Sequence, residues 1–233
     1  MLADDKMLLI RNYDLWCHFS EEEYEALNLE HNFIEARKGE YIYFDSHFHN
    51  KLYFLKKGFI KIGYVDENGK EIIKEIIQKG ETFGQITLEK NNLRGEFAQA
   101  YKGDVSLCAF NIEDFQKLLK SKPALALEYS KQVGNKLHHI QTRLINLLNK
   151  DVKTRLINFF GQLIEKNIGD NTAEGFCIPN YLTHEDIASL IGSTRQTVTT
   201  MINELEQEKV LSYSRQEICF LDVKKIQNLL SVT

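Results

Sequence analysis

The spacing of apolar residues divides the chain into a β-rich first half and a helical second half. Between residues 32 and 110, short runs of Ile, Phe, Tyr and Val alternate with turn-forming stretches at residues 37–40, 56–58, 66–69 and 78–80. Turn signals at such intervals predict a compact all-β sandwich or barrel. The clearest unit is a predicted hairpin, in which two β-rich runs at residues 59–65 and 70–77 flank the Asn68-Gly69 turn.

The segments on either side of this region have the spacing of apolar residues that is typical of helices. Ser20 and Glu23 resemble a capping box and predict a helix that reaches about Leu29. A short helix is predicted at residues 113–120, and Pro123 stands where the next helix can begin.

The helix after Pro123 carries a narrow apolar stripe whose members are spaced 4, 3, 4 and 3 residues apart: Val133, Leu137, Ile140, Leu144 and Leu147. This is the a/d spacing of helices that pair with other helices. Packing against the chain's own β domain is the alternative, but a stripe this narrow favours a partner helix. The five residues are therefore the predicted homodimer interface.

Residues 182–210 have the pattern of a helix-turn-helix. Thr183 can cap a first helix with Asp186 three residues on, and Gly192 permits the left-handed backbone that ends it. Ser193 or Thr194 can then cap a second helix. Two short helices joined by a glycine-containing turn predict this motif, against the alternative of a helical hairpin inside a larger fold. An amphipathic helix at residues 151–166 and a loop at 167–180 precede the motif, and a two-stranded wing at 210–221 and a last helix at 223–230 follow it.

The outer face of the second predicted helix has the chemistry of a DNA-reading surface. Its first half carries one positive charge and no acid, and acidic residues begin only at Glu204. Arg and Gln side chains can pair with guanine and adenine edges in the major groove, and Thr can contact base or phosphate. The predicted DNA-binding residues are Thr183, Ser193, Thr194, Arg195, Gln196, Thr197, Thr199, Thr200, Asn203 and, at the wing tip, Arg215.

Composition and charge limit the partners. Of the 233 residues, 43% are hydrophobic and 27% charged, as in a folded soluble protein, and no apolar run is long enough to span a membrane. We expect a cytoplasmic protein without a membrane partner. The net charge is −4, and residues 151–233 hold eight Lys/Arg against eleven Asp/Glu. Non-specific DNA affinity should therefore be modest, and tight binding would need a dimer and a specific site.

The cysteines and histidines do not form a recognisable metal or catalytic pattern. Cys17, Cys108, Cys177 and Cys219 are scattered, without a C-x-x-C pair, and we expect buried free thiols. His47-Phe48-His49 could place two imidazoles on one face of a strand, as in a cupin-like metal-dependent β-barrel protein, but the other ligands of such a site are missing. No metal, no cofactor and no enzyme activity are predicted.

The order of these elements resembles the CRP/FNR family of bacterial transcription regulators. The likeness covers nearly the whole chain. It is most specific at residues 182–210, and the glycine-punctuated stretch from Leu55 through Gly69 to Gln85 is similar to the family's roll. The resemblance implies an α+β fold with an N-terminal double-stranded β-roll (jelly-roll-like) at residues 1–122. It also implies a long dimerisation helix at 123–150 and a C-terminal winged helix-turn-helix at 151–233, with a hinge at Asp151.

The resemblance also implies a function. It predicts a dimeric regulator that binds palindromic promoter sites in double-stranded DNA, that answers a signal at the roll and that contacts RNA polymerase. Arg195, Gln196 and Thr200 match the family's base-reading positions.

The predicted effector pocket departs from the family's cyclic-nucleotide pattern. Members that bind such ligands use a Gly-Glu step and an Arg-Ser or Arg-Thr pair, whereas this chain has Gly84-Gln85 and then Arg94-Gly95-Glu96. Glu96 would oppose an anion. Gly84, Gln85 and Arg94 are the predicted pocket residues, cyclic AMP is not expected, and the effector stays open. A cyclic-nucleotide-binding regulatory module without DNA function is an alternative that the helix-turn-helix disfavours.

Overall fold

A computed structural model describes residues 32–44, 50–88, 95–168 and 175–231. The predicted helix at residues 20–29, together with Cys17, His47-Phe48-His49 and Arg94, lies outside the described residues. The chain divides between His138 and His139 into two compact units.

The first unit is built on antiparallel strands, as the apolar runs predicted. The strands are β1 (Asn32–Ala36), β2 (Tyr41–Phe44), β3 (Lys51–Val65), β4 (Glu71–Ile77), β5 (Thr82–Gly84) and β6 (Glu96–Asn111). They form one sheet in the order β1-β6-β3-β4, with β2 also paired to β6 and β5 to β3. The predicted hairpin is confirmed, since β3 and β4 pair in antiparallel register on either side of the Asn68-Gly69 turn.

The turn predicted at residues 56–58 was wrong, because β3 continues through it. The pairing of β3 with β6 shifts register between Leu55 and Lys57 and again between Lys57 and Phe59, as at a β-bulge. Gly58 has φ +86°, and a Cβ there would lie 2.7 Å from the carbonyl oxygen of Asp104. The glycine therefore serves a bulge and a close approach to β6, and not a chain reversal.

Side chains along β3 point alternately to the two faces of the sheet, and each set belongs to a different hydrophobic core. Tyr53 and Leu55 face one side, where the ring of Tyr53 stacks on Phe83 with centroids 5.0 Å apart. Leu52 and Phe54 face the other side, against the helices α1 (Ile112–Ser121) and α2 (Pro123–Asn149). Successive side chains of a strand point to opposite faces, so one strand anchors both layers.

The predicted dimer stripe on α2 is mostly exposed. Val133 packs against the cluster of Leu52 and Phe54 and is partly buried. Leu137, Ile140 and Leu144 are 54%, 56% and 55% exposed, and Leu147 is 38% exposed. The sequence pattern did not include Leu148, which is 73% exposed, or Ile145 at 55%.

The second unit contains a three-stranded sheet among four further helices. Its elements are α3 (Val152–Ile168), β7 (Phe176–Pro179), α4 (His184–Ile191), α5 (Arg195–Gln207), β8 (Leu211–Tyr213), β9 (Glu217–Phe220) and α6 (Val223–Ser231). The sheet order is β7-β9-β8, so the predicted wing gains a third strand from residues that were predicted to be a loop. Leu156, Phe160, Val198, Ile202 and Phe220 are each at most 1% exposed and form its core.

The expectation of free thiols was wrong for two cysteines. A disulfide joins Cys177 to Cys219, which stand directly opposite each other in β7 and β9. The pairing depends on a strand register that the spacing in sequence does not reveal. Cys108 is a buried free thiol, as predicted.

Among the helices described, none has both the length and the apolar content needed to cross a membrane.

Candidate nucleic-acid interface

The caps of α4 and α5 form as the sequence predicted. Thr183 and Asp186 make a capping box: the Asp186 N–H donates to Thr183 Oγ1 over 3.1 Å, and the Thr183 N–H donates to the Asp186 carboxylate over 2.6 Å. Thr194 is the N-cap of α5 and accepts from the N–H of Thr197. These bonds satisfy backbone donors in the first turns and fix where each helix begins.

The turn between the two helices requires a glycine. Gly192 has φ 65° and ψ 52° and ends α4 in the left-handed region. A Cβ at this position would lie 2.7 Å from Cδ2 of Leu147. Ala188, one turn earlier, is small and 1% exposed. Backbone conformation and close packing together set the angle at which α5 leaves the turn.

The side chains that α5 presents to solvent are polar and, at its start, free of acids. Arg195, Gln196, Thr200 and Asn203 are exposed, while Val198, Ile202 and Leu205 on the opposite side are buried. The hydroxyl of Thr200 donates to the carbonyl of Gln196 over 3.2 Å. Four side chains able to pair with base edges thus share one accessible face.

Three of the predicted contact residues are less accessible than these four. Ser193, Thr197 and Thr199 are half-buried. The hydroxyl of Thr197 lies 2.8 Å from that of the cap residue Thr194, and Thr199 Oγ1 lies 2.8 Å from Nδ1 of His184. The hydroxyls of Thr197 and Thr199 therefore bond within the motif, whereas Arg195, Gln196, Thr200 and Asn203 remain accessible.

His184 links three elements, and sequence reasoning did not single it out. It begins α4, bonds to Thr199 of α5, and its ring lies 4.9 Å from that of Tyr213 in β8. Burial lowers the pKa of His184 below its ordinary value of 6.5, and the positive charge of Arg195 lowers it further, against the opposing effect of Glu206. The imidazole is therefore held toward its neutral form.

The wing tip is held by a residue of the unpredicted strand region. Arg215 lies exposed in the turn between β8 and β9. Asn180, directly after β7, donates from Nδ2 to the carbonyl of Ser214 over 2.6 Å and from its backbone N–H to the carbonyl of Gln216 over 2.8 Å. An asparagine next to a proline is a common turn signal, but its partners lie more than thirty residues away. Asn180 thus positions the loop that carries Arg215.

In the roll, the structure describes two of the three predicted effector residues. Gly84 ends β5, and the adjacent Gln85 is 2% exposed. Its Nε2 donates to Thr87 Oγ1 over 2.9 Å, while its Oε1 is buried without a hydrogen-bond partner among the residues that the structure describes. The position presents a neutral amide.

Comparison with known proteins places both units. Residues 33–122 match the model of the cyclic nucleotide-binding domain, and residues 154–229 match that of the Crp-like helix-turn-helix domain. The chain is 30% identical over 169 residues to the global nitrogen regulator of Nostoc sp., covering 72% of this chain and 75% of the relative. It is 26% identical over 193 residues to the anaerobic regulatory protein of Bacillus subtilis, covering 83% and 81%. A solved CooA mutant from Carboxydothermus hydrogenoformans superposes with a TM-score of 0.74 at 25% identity, covering 91% of this chain and 92% of that one.

Fold and site therefore define a transcription regulator with a winged helix-turn-helix and a β-roll of the cyclic-nucleotide-binding type. The chain belongs to the CRP/FNR family. This confirms the predicted resemblance, fold class and regulatory, non-enzymatic role. It also removes two alternatives: a cupin-like metal protein and a nucleotide-binding module that lacks a helix-turn-helix.

Proposed function

We propose that the protein is a dimeric, sequence-specific DNA-binding regulator that occupies palindromic promoter sites. The observation that carries this proposal is the exposed face of α5, on which Arg195, Gln196, Thr200 and Asn203 are accessible and acids are absent from the first two turns. A helix of this length with an accessible polar face fits the major groove.

Each side chain on this face has a definite chemistry. Arg195 can donate two hydrogen bonds to O6 and N7 of guanine, and Gln196 can pair with N6 and N7 of adenine. Arg215 at the wing tip would meet phosphate, together with the helix N-termini at Thr183 and Thr194. Arg195 should therefore carry base preference and Arg215 general affinity.

The dimer would form through α2. Leu137, Ile140, Leu144 and Leu147, joined by Leu148, present an apolar stripe to solvent, and Val133 would extend it at the unit 1 end. Two copies related by a two-fold axis would place two α5 helices in successive major grooves, with half-site centres about 34 Å or a multiple apart. The net charge of −3 over residues 151–233 supports the need for two half-sites, since one copy neutralises few phosphates.

We assign the roll, residues 1–122, to signal reception, residues 123–150 to dimerisation and 151–233 to DNA reading. A signal at Gly84, Gln85 and Arg94 would shift the DNA-binding domains of the two protomers through the hinge near Asp151. The neutral Gln85 disfavours cyclic AMP as that signal, because the family's ribose contact is a carboxylate. By family, the protein works in the cytoplasm with RNA polymerase as a further partner.

The proposal is tested by selecting bound duplexes from a random DNA pool at one fixed, moderate salt concentration. Wild type, Arg195→Ala and Lys224→Ala are compared, since Lys224 is an exposed cation on α6 whose removal changes net charge equally. Wild type and Lys224→Ala should enrich the same two-fold symmetric site. The site selected by Arg195→Ala should lose its base preference at one position in each half-site, and the variant should bind the wild-type site about 1–3 kcal/mol more weakly.

Enrichment of a site with no symmetry would contradict the dimeric arrangement. Equal relaxation by both variants would contradict the role of Arg195 in base reading. If no duplex is enriched, the same selection is repeated with ligands found by thermal shift, and failure there would contradict the proposed function.

A further inference from the structure

The disulfide between Cys177 and Cys219 closes a ring around the whole helix-turn-helix. The two residues are 42 positions apart, and α4, α5 and β8 lie between them. Their Cα atoms are 4.0 Å apart, the close approach of directly opposed antiparallel residues. Ile178 and Ile218, the adjacent opposed pair, are buried, so the sulfurs lie on the outer face of the sheet.

The covalent bond fastens a strand that has few other attachments. In the part of the chain that the structure describes, β7 is an edge strand that pairs only with β9, over four residue pairs. Its last residue, Pro179, has no N–H to donate. The next residue, Asn180, holds the loop that carries Arg215. Anything that loosens β7 therefore loosens the wing tip.

The bond is also accessible. Cys177 is exposed and Cys219 is half-buried, in contrast to the fully buried Cys108, the pKa of which burial raises to about 11. A carboxylate oxygen of Glu217 and both sulfurs lie within 4.8 Å of one another. A thiolate can reach the outer sulfur, and the negative charge of Glu217 opposes its approach.

We propose that Cys177–Cys219 is a redox-active site whose substrate is a dithiol reductant, and that its opening weakens DNA binding by the wing. This inference rests on the proposed function. A DNA-binding regulator works in a reducing compartment, where disulfides are transient or redox-sensing and not permanent staples.

The chemistry is thiol–disulfide exchange. A thiolate of the reductant attacks Sγ of Cys177, a mixed disulfide forms, and the Cys177–Cys219 bond breaks with its electron pair on Sγ of Cys219, which takes a proton from water. The second thiolate of the reductant then attacks the reductant's first sulfur, which is bonded to Cys177 in the mixed disulfide. This releases the Cys177 thiolate, which is protonated in turn. Two protein thiols and one cyclic disulfide result. A small-molecule disulfide reverses the sequence.

The first test counts thiols in the native full chain. Wild type, Cys177→Ser/Cys219→Ser and Glu217→Gln are equilibrated with dithiothreitol and its oxidised form in varied ratio, trapped with an alkylating reagent and weighed by mass spectrometry. At equilibrium, wild type should show a reversible step of two thiols that the double variant lacks. When thiols are instead trapped at successive times after dithiothreitol is added, Glu217→Gln should open several-fold faster than wild type.

Two results would overturn this part of the proposal. One is a wild-type bond that stays closed in excess dithiothreitol while the protein is folded. The other is a reduced wild type that binds one zinc ion per chain and no longer recloses, because the pair would then be a metal site formed with Glu217.

The second test measures the affinity of the selected duplex for the oxidised and reduced protein. We expect at least threefold weaker binding after reduction, and the double variant should match the reduced protein in both buffers. Equal affinity of the two forms would overturn the regulatory role. Absence of DNA binding by both forms would contradict the proposed function and leave the thiol count unaffected.

Discussion

Nδ1 of His184 lies 2.8 Å from Oγ1 of Thr199, so a hydrogen bond joins the start of α4 to the middle of α5. The hydroxyl of Thr199 also donates its one hydrogen to the carbonyl of Arg195, over 2.8 Å. His184 must then be the donor in the bond to Thr199, so its neutral imidazole carries the proton on Nδ1. The angle between the two helices is thus held by a side chain of the first helix and a hydroxyl of the second.

Thr199 and Thr200 should respond differently to the same substitution. Thr199→Ala removes the bond to half-buried His184 and should lower the free energy of unfolding by about 1–2 kcal/mol. Thr200→Ala removes an exposed hydroxyl and should change stability by less than about 0.5 kcal/mol, while altering the preferred base at one position per half-site. Denaturant unfolding and duplex selection on both variants check this. Equal losses of stability would contradict the inward placement of Thr199.

The second unit should become less stable as the pH is lowered from neutral, and His184 should be responsible for part of that loss. Its pKa in the folded protein is below the ordinary value of 6.5, so the unfolded chain binds the proton more readily. The contribution is complete above pH 6.5 and is lost as the pH falls toward the lowered pKa. Melting temperatures from pH 7.5 to 5.5 should therefore drop more steeply for wild type than for His184→Gln. Parallel curves would contradict this assignment.

Charge placed on the exposed stripe of α2 should separate the protomers. Leu137→Asp/Leu144→Asp should raise the dimer dissociation constant by roughly a hundredfold or more, because burial of each leucine contributes about 1.5–3 kcal/mol. Asn135→Asp/Asn149→Asp adds the same charge at exposed polar positions on the opposite side of the helix and serves as the control. Sedimentation over a range of concentrations measures both. A leucine variant that sediments like wild type would remove the stripe as the interface.

Reduction should destabilise the second unit through its unfolded state. A bond that closes a ring of 42 residues restricts the unfolded chain and contributes up to about 4 kcal/mol. The denaturant midpoint of wild type should therefore fall when a reductant is added, and that of Cys177→Ser/Cys219→Ser should be low in both buffers. A midpoint that reductant does not move would show that the bond adds no stability.

Local signals made the reading motif predictable from sequence. Thr183 and Thr194 cap helices through backbone groups no more than one turn away, and Gly192 ends a helix by its own left-handed conformation. Because these effects are local, the pattern of the three residues alone locates both helices. The Asn68-Gly69 turn fixed the hairpin for the same reason. Membership of the family then followed from the order of the elements.

Features that depend on distant partners were not predictable in this way. β7 is four residues long and becomes a strand only by pairing with β9, about forty positions later. That same register decides that Cys177 meets Cys219. Thr199 and Thr200 are adjacent in one helix, and only the position of His184 shows which of them is engaged inside the domain. The roles of Asn180 and Gly58 likewise come from strands that the local sequence does not specify.

The exposed stripe on α2 also has a consequence for dose. If two copies pair through Leu137, Ile140 and Leu144, only the paired form can hold both half-sites, and its amount follows the square of the monomer concentration while monomers predominate. A doubling of the protein would then raise the paired form up to about fourfold. The affinity of one helix face for its copy would thus set how sharply transcription responds to expression of the regulator itself.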